Sequence, residues 1–387
     1  MCSEVNDNDF EPLFVDKSSS DSLKWSRYKD SDILPMWVAD MDYRSAEPII
    51  EALHKRVSHG VFGYGIPGDE TNSAVLGWLK SRHNWEILPE WIVWTPGLVS
   101  ALNVICRAFA EPNQEVLTFT PVYPPFLSAP GLSDRSLLTC PLKNTGGIYT
   151  IDFENLESVV TEKTKVLLFC NPHNPVGRVW DKETLLKLAA FCLNRNILLC
   201  SDEIHCDLIL DTSVKHTPTT TLNQDIAANS ITLMSPAKTF NLPGLNCGFA
   251  IIPNARLRQA YNDTAQGIVP HVNVLGYAAC RAAYTQGLPW LMNVLDYLRE
   301  NHRILYDAIN RIDGLSMAPV EATYLAWIDV RKPNLSNPAA FFKKAGIGLM
   351  NGAEFGQAGF VRLNFACSQK NLLLAIERIK NEVENIS

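Results

Sequence analysis

Seven short, almost continuously apolar runs constrain the fold of this chain more than any other feature. They lie at residues 91–97, 115–123, 137–142, 165–172, 197–204, 230–234 and 248–253. Stretches with apolar residues at helical spacing separate several of them, as at 98–109 and 182–194. A strand that is apolar on both sides needs cover on both sides, so the pattern predicts an α/β fold with a mostly parallel seven-stranded sheet covered by helices. At 387 residues the chain suits a large domain plus a smaller one. Residues 51–288 read as the large domain. From residue 289 the pattern changes to a long amphipathic helix (289–311), strands at 324–330, 346–352 and 359–365, and a closing helix at 369–383. This predicts a small α+β domain built from both termini, residues 289–387 with the connecting helix and residues 1–50, of which 1–35 read as a loosely structured arm.

The polar residues that stand out fall at the ends of the apolar runs: Gly97, Tyr123, Asn174, Asp202, and Ser235 with Lys238. Ligands of open α/β sheets bind along the edge formed by the strands' carboxyl ends. A glycine turn before the helix at 98–109 presents the backbone N–H groups of Leu98 and Val99 to an anion. Lys238 reads either as a loop lysine reaching solvent or as an amine with an anionic or covalent partner, because a lysine at the mouth of a buried strand is otherwise costly. Arg362, inside an apolar strand, reads as a binder of a specific anion or as half of a structural ion pair. The segment 34–43 sets Asp40 and Asp42 among apolar and aromatic residues, which suits a capped strand or a site. Residues 62–68 form a glycine-punctuated loop that exposes Tyr64.

One cofactor gives each of these residues a task, pyridoxal 5′-phosphate (PLP). Lys238 would form the Schiff base and then remove a substrate α-proton. Asp202 would keep the pyridine nitrogen protonated, Asn174 would donate to the ring's phenolic oxygen, and Tyr123 would lie on the ring face. The N–H groups of Leu98 and Val99, with Ser235, would hold the phosphate. Arg362 would take the substrate carboxylate bidentately.

A formal net charge of −7 argues against nucleic acid or an anionic membrane as partner. The ten cysteines are scattered with no Cys-x-x-Cys pair, which suits reduced thiols in a cytoplasmic protein and no structural metal. The polar N-terminus has no signal-peptide pattern, and no apolar run approaches membrane-spanning length.

Residues 37–42 (Trp-Val-Ala-Asp-Met-Asp), 171–177 (Asn-Pro-His-Asn-Pro-Val-Gly), 201–205 (Ser-Asp-Glu-Ile-His), 238–241 (Lys-Thr-Phe-Asn), 322–327 (Ala-Thr-Tyr-Leu-Ala-Trp) and 361–365 (Val-Arg-Leu-Asn-Phe) carry a family resemblance. The chain resembles fold-type I PLP enzymes and, among them, the cystathionine β-lyase-like C–S lyases, relatives of class I/II aminotransferases. The resemblance implies cleavage of L-cystathionine or related cysteine derivatives to a thiol, pyruvate and ammonia. Transamination, and a PLP-binding regulatory protein with little catalysis, remain as alternatives. It also implies a homodimer with the site at the interface, Tyr64 reaching the neighbouring subunit's cofactor, and Val38 and Ala39 lining the substrate site. His205 stands where many aminotransferases carry tyrosine, and its contact with the cofactor stays open. Many relatives carry a basic residue where this chain has Asn246, so weaker charge balance at the phosphate is expected here.

Overall fold

The computed structural model describes residues 21–385. Its centre is the expected seven-stranded sheet: β1 Ile92–Thr95, β2 Glu115–Thr120, β3 Ser136–Pro141, β4 Thr164–Cys170, β5 Leu198–Asp202, β6 Ser230–Met234 and β7 Gly248–Ile251. The strand order is β1-β7-β6-β5-β4-β2-β3, and only β7 runs antiparallel to its neighbours. Apart from the edge strand β3, most of whose residues are exposed, the strands are largely apolar because alternate residues feed separate cores. Leu167, Phe169 and Leu199 pack on one side against Trp180, Leu185 and Leu188. Val166, Leu168, Leu198, Cys200, Ile231 and Leu233 pack on the other, against the helix Leu98–Phe109.

A second, four-stranded antiparallel sheet holds β8 Ser316–Met317, β9 Leu325–Asp329, β10 Met350–Asn351 and β11 Phe360–Asn364, in the order β8-β9-β11-β10. A third core ties it to the large sheet through the long helix Leu288–Ile309 and residues such as Tyr43, Trp78, Phe240, Tyr324 and Leu363.

Two expectations need correction. The run 346–352 is two strands, not one: Ile347–Gly348 pairs in parallel with Leu34–Pro35, and Met350–Asn351 pairs with β11. The chain changes sheets at Leu349, and Gly348 is required there, since a Cβ would sit 2.4 Å from the Tyr28 ring. Residues 21–35 are also better ordered than a loose arm. They form the turn Leu23–Ser26, and Lys24 and Trp25 are buried. Residues 1–20 of that arm lie outside the described residues.

Candidate active site

The carboxyl ends of β1, β2, β4, β5 and β6 meet the N-terminal segment and β11 around a cavity of about 330 Å³, a size that suits a small organic ligand. Its walls carry Val38, Ala39, Leu98, Val99, Tyr123, Asn174, Asp202, His205, Ser235, Lys238 and Arg362. Every expected site residue except Tyr64 is therefore brought together. Tyr64 is fully exposed and lines a separate groove with Phe62 and Pro270, so it does not reach the cavity of its own chain.

Lys238 sits on a single helical turn, Pro236–Thr239. Ser235 caps the turn by accepting from the Ala237 N–H at 3.1 Å, and Pro236 takes the first helical position, where a missing N–H costs nothing. The Ser235 hydroxyl donates to the Cys247 carbonyl at 2.7 Å, so in this conformation its proton is committed to the backbone. Asp207 fixes the turn from below, accepting from Thr239 Oγ1 at 3.2 Å and from Trp78 Nε1 at 3.1 Å. The Lys238 amine donates to the Ala39 carbonyl at 2.5 Å.

Burial dominates the electrostatics. It lowers the Lys238 ammonium to about 8 against the pull of Asp40 and Asp202, with Arg362 adding repulsion. It raises Asp202 to about 7, helped by the like charge of Glu203 and opposed by the Ile204 N–H and Lys238. His205 is held neutral at about 3 by burial and by the positive charges of Lys238 and Arg362. Its Nδ1 is buried without a partner. Arg362, 1% exposed, is lowered to about 10 by burial. Its partners are uncharged: Asn174 Oδ1 at 3.1 Å, the Trp37 carbonyl at 2.8 Å and Met350 Sδ at 3.0 Å, while Nε has none. These contacts do not supply the structural ion pair that the sequence left open.

Such a site fits a phosphorylated, cationic heteroaromatic aldehyde. Gly97 caps the helix Leu98–Phe109 without a side chain, and Gly97, Leu98 and Val99 line the cavity, so the helix N-terminus opens onto it. Asp202 is a buried carboxylate suited to a ring N–H⁺. Lys238 offers an amine of lowered basicity. Asn246, at the mouth, takes φ 47° and brings no charge to the phosphate end.

Several residues of the site carried no sequence signal of their own. Asn241 clamps the segment behind Ala39, accepting from Met41 N and donating to the Met41 and Tyr43 carbonyls, each at 2.9 Å. Asn364 donates to the carbonyls of Val38 and Asp40, both at 2.6 Å, and Tyr324 donates to that of Ala39 at 3.1 Å. Asn241 and Asn364 stand inside motifs that were visible in the sequence, but their partners are far away along the chain.

A mostly parallel α/β sheet whose strand ends gather a lysine, a buried aspartate and a buried arginine around one cavity suits an enzyme that works through a carbonyl cofactor. The family model described as aminotransferase class I and II matches residues 32–379, and the chain belongs to that family of fold-type I PLP enzymes. Within it the chain falls in the C–S lyase branch. It is 38% identical to cystathionine β-lyase PatB of Bacillus subtilis (strain 168), over 94% of this chain and 97% of that one. It superposes on the crystal structure of OvoB with a TM-score of 0.92 at 44% identity, covering 94% and 96% of the two chains. Cystalysin of Treponema denticola, solved with pyridoxal 5′-phosphate, matches with a TM-score of 0.93 at 34% identity, covering 96% and 98%. Among the described residues no helix is long and apolar enough to cross a membrane.

Proposed function

We propose that this protein is a PLP-dependent C–S β-lyase that cleaves L-cystathionine or a related S-substituted L-cysteine to a thiol, pyruvate and ammonia. The observation that carries the reading is the convergence of Lys238, Asp202, Asn174 and Arg362 on one cavity, in a chain similar along nearly its whole length to a cystathionine β-lyase. When bound, the cofactor supplies an electron sink for the carbanion formed at the substrate α-carbon.

The chain's residues do the rest. Asp202, as an anion, would hold the ring nitrogen protonated, and Asn174 would orient the ring through its phenolic oxygen. Tyr123 would cover the ring face, and the N-terminus of helix Leu98–Phe109 would hold the phosphate, with Ser235 joining if its hydroxyl turned from Cys247. Arg362, already positioned by Asn174 and Trp37, binds the substrate carboxylate at a site bounded by Val38 and Ala39. His205 stays neutral beside Lys238 and neither competes for its proton nor adds charge. Lys238, lowered to about 8, is neutral often enough at physiological pH to take the α-proton. The protein acts as a homodimer in which Tyr64 of the partner subunit completes the phosphate end, a role that its full exposure leaves open.

Release of thiol from L-cystathionine, followed with a thiol reagent, tests the reading. The holoenzyme is expected to release thiol over many turnovers. Lys238→Ala is expected to lose both that release and the absorbance of lysine-bound cofactor. Continued multiple turnover by Lys238→Ala would contradict the assignment.

A further inference from the structure

Asp40 is one residue from the Lys238 contact at Ala39, yet the reaction just described gives it no part. It follows Ala39, whose carbonyl binds the Lys238 amine. The loop is held on every side: Tyr324 and Asn364 take its carbonyls, and the Lys24 ammonium lies 3.4 Å from Asp40 Oδ1 and 2.9 Å from Asp42 Oδ1. The Lys24 side chain is only 2% exposed, and a lone ammonium at that depth would be strongly unfavourable. Two carboxylates therefore share it, and they share it unequally. Asp42 accepts hydrogen bonds from both Lys24 and Trp25. Asp40 Oδ1 has the ion pair and no hydrogen bond. Lys24 therefore holds Asp40 less closely than it holds Asp42.

The charged and titratable groups facing Lys238 come from four segments: Asp40 from the N-terminal loop, Asp202 from the end of β5, neutral His205 just beyond it, and Arg362 from β11. Asp40 itself faces Lys24, Asp42, Lys238 and Tyr324. Asp40 and Asp202 both favour the Lys238 ammonium. A proton-abstracting lysine needs such a partner at one moment. When the α-carbon–hydrogen bond breaks, its electrons stay with the substrate, the proton forms a new bond to Nζ, and a neutral amine becomes a buried ammonium.

We propose that Asp40 is a positioning residue for Lys238: anchored by Lys24, it fixes the loop to which the lysine amine binds and supplies the negative charge that stabilises the amine once it carries the proton. The proposal rests on Lys238 being the reacting lysine. Lys24 is then part of the active site although it touches neither substrate nor cofactor. Its place in the chain, before the segment that it anchors, ties the N-terminal turn to the chemistry.

The test is an absorbance titration of the holoenzyme, which reads the protonation of the nitrogen joining Lys238 to the cofactor without any turnover. Asp40→Asn should lower the midpoint by about one unit, a tenfold change in proton affinity, and should lower kcat more than it raises KM. Asp42→Asn loses the shorter Lys24 contact and the Trp25 bond but does not face Lys238, so its midpoint should stay in place. An unmoved midpoint in Asp40→Asn, or an equal shift in both variants, would overturn the proposal and leave Asp40 a purely structural anchor. If Asp40→Asn fails to fold, the pair Lys24→Gln/Asp40→Asn removes one charge of each sign from the same cluster, and a smaller downward shift is expected, because losing the more distant Lys24 cation offsets part of it. Absorbance of lysine-bound cofactor that survives in Lys238→Ala would defeat the underlying reading instead, so the two failures are separable.

Discussion

At the scale of single residues, the site is built from charges that have left water and kept few partners. Arg362 shows this best. Its guanidinium is 1% exposed, is held by the Asn174 side chain and the Trp37 carbonyl, and has an unpartnered Nε. On the proposed function an incoming carboxylate would meet a fork that is already oriented, with little side-chain entropy left to lose. Arg362→Lys keeps the charge and loses the fork. Removing one charge-assisted hydrogen bond of about 1.5–3 kcal/mol lowers kcat/KM about 10- to 100-fold, while cofactor absorbance is retained. Steady-state kinetics on an S-substituted cysteine check this, and an unchanged kcat/KM would remove Arg362 from the substrate site. The lysine was visible in the sequence because it stands at the mouth of an apolar run, and the arginine because it interrupts one. Lys24 was not visible, because what buries it is a pair of carboxylates 16 and 18 residues away.

At the scale of elements, the loop after β4 carries the clearest pH dependence. His173 is 1% exposed, its Nε2 lies 2.8 Å from the Pro121 carbonyl, and burial lowers its imidazolium to about 4. The unfolded chain takes up a proton near pH 6.5 and the folded chain does not. The stability contributed by the neutral ring is therefore fully present above 6.5 and is lost as pH falls towards 4. At pH 5 the loss is about 2 kcal/mol, from roughly 1.5 pH units of unequal proton uptake. His173→Gln keeps a donor for Pro121 and cannot titrate. Between pH 7 and pH 5 its denaturation midpoint should gain on that of the parent by an equivalent amount, and a constant gap would contradict this. Most elements were legible in advance because continuous apolar runs and 3.6-residue periods are local properties. Two things were not. The antiparallel course of β7 depends on partners that no local pattern names. The division of 346–352 depends on Leu349 crossing between sheets, with Gly348 pressed against Tyr28 from a segment whose own order rests on distant contacts.

At the scale of the whole molecule, the described surface leaves Phe62, Tyr64 and Ile66 60%, 105% and 84% exposed on one loop. An apolar loop this bare is suited to a second copy of the chain. If Tyr64 of the partner subunit completes each cavity, Tyr64→Ala and Lys238→Ala are each strongly impaired alone but complement when unfolded and refolded together. Random pairing gives about one wild-type site in four, so about a quarter of parental activity should return. Activity no greater than the sum of the separate variants would show that each chain builds its site unaided. On the proposed chemistry the same cavity suits either of two fates of one carbanion, because lyase and aminotransferase would use the lysine, the aspartate and the arginine alike. The decisive measurement is pyruvate formed per active site when the holoenzyme meets L-cystathionine with no keto acid present. Sustained formation over many equivalents, with thiol and ammonia in equal amounts, is the predicted result. A single equivalent of keto acid followed by arrest, with activity restored only by added keto acid, would contradict the lyase and establish an aminotransferase.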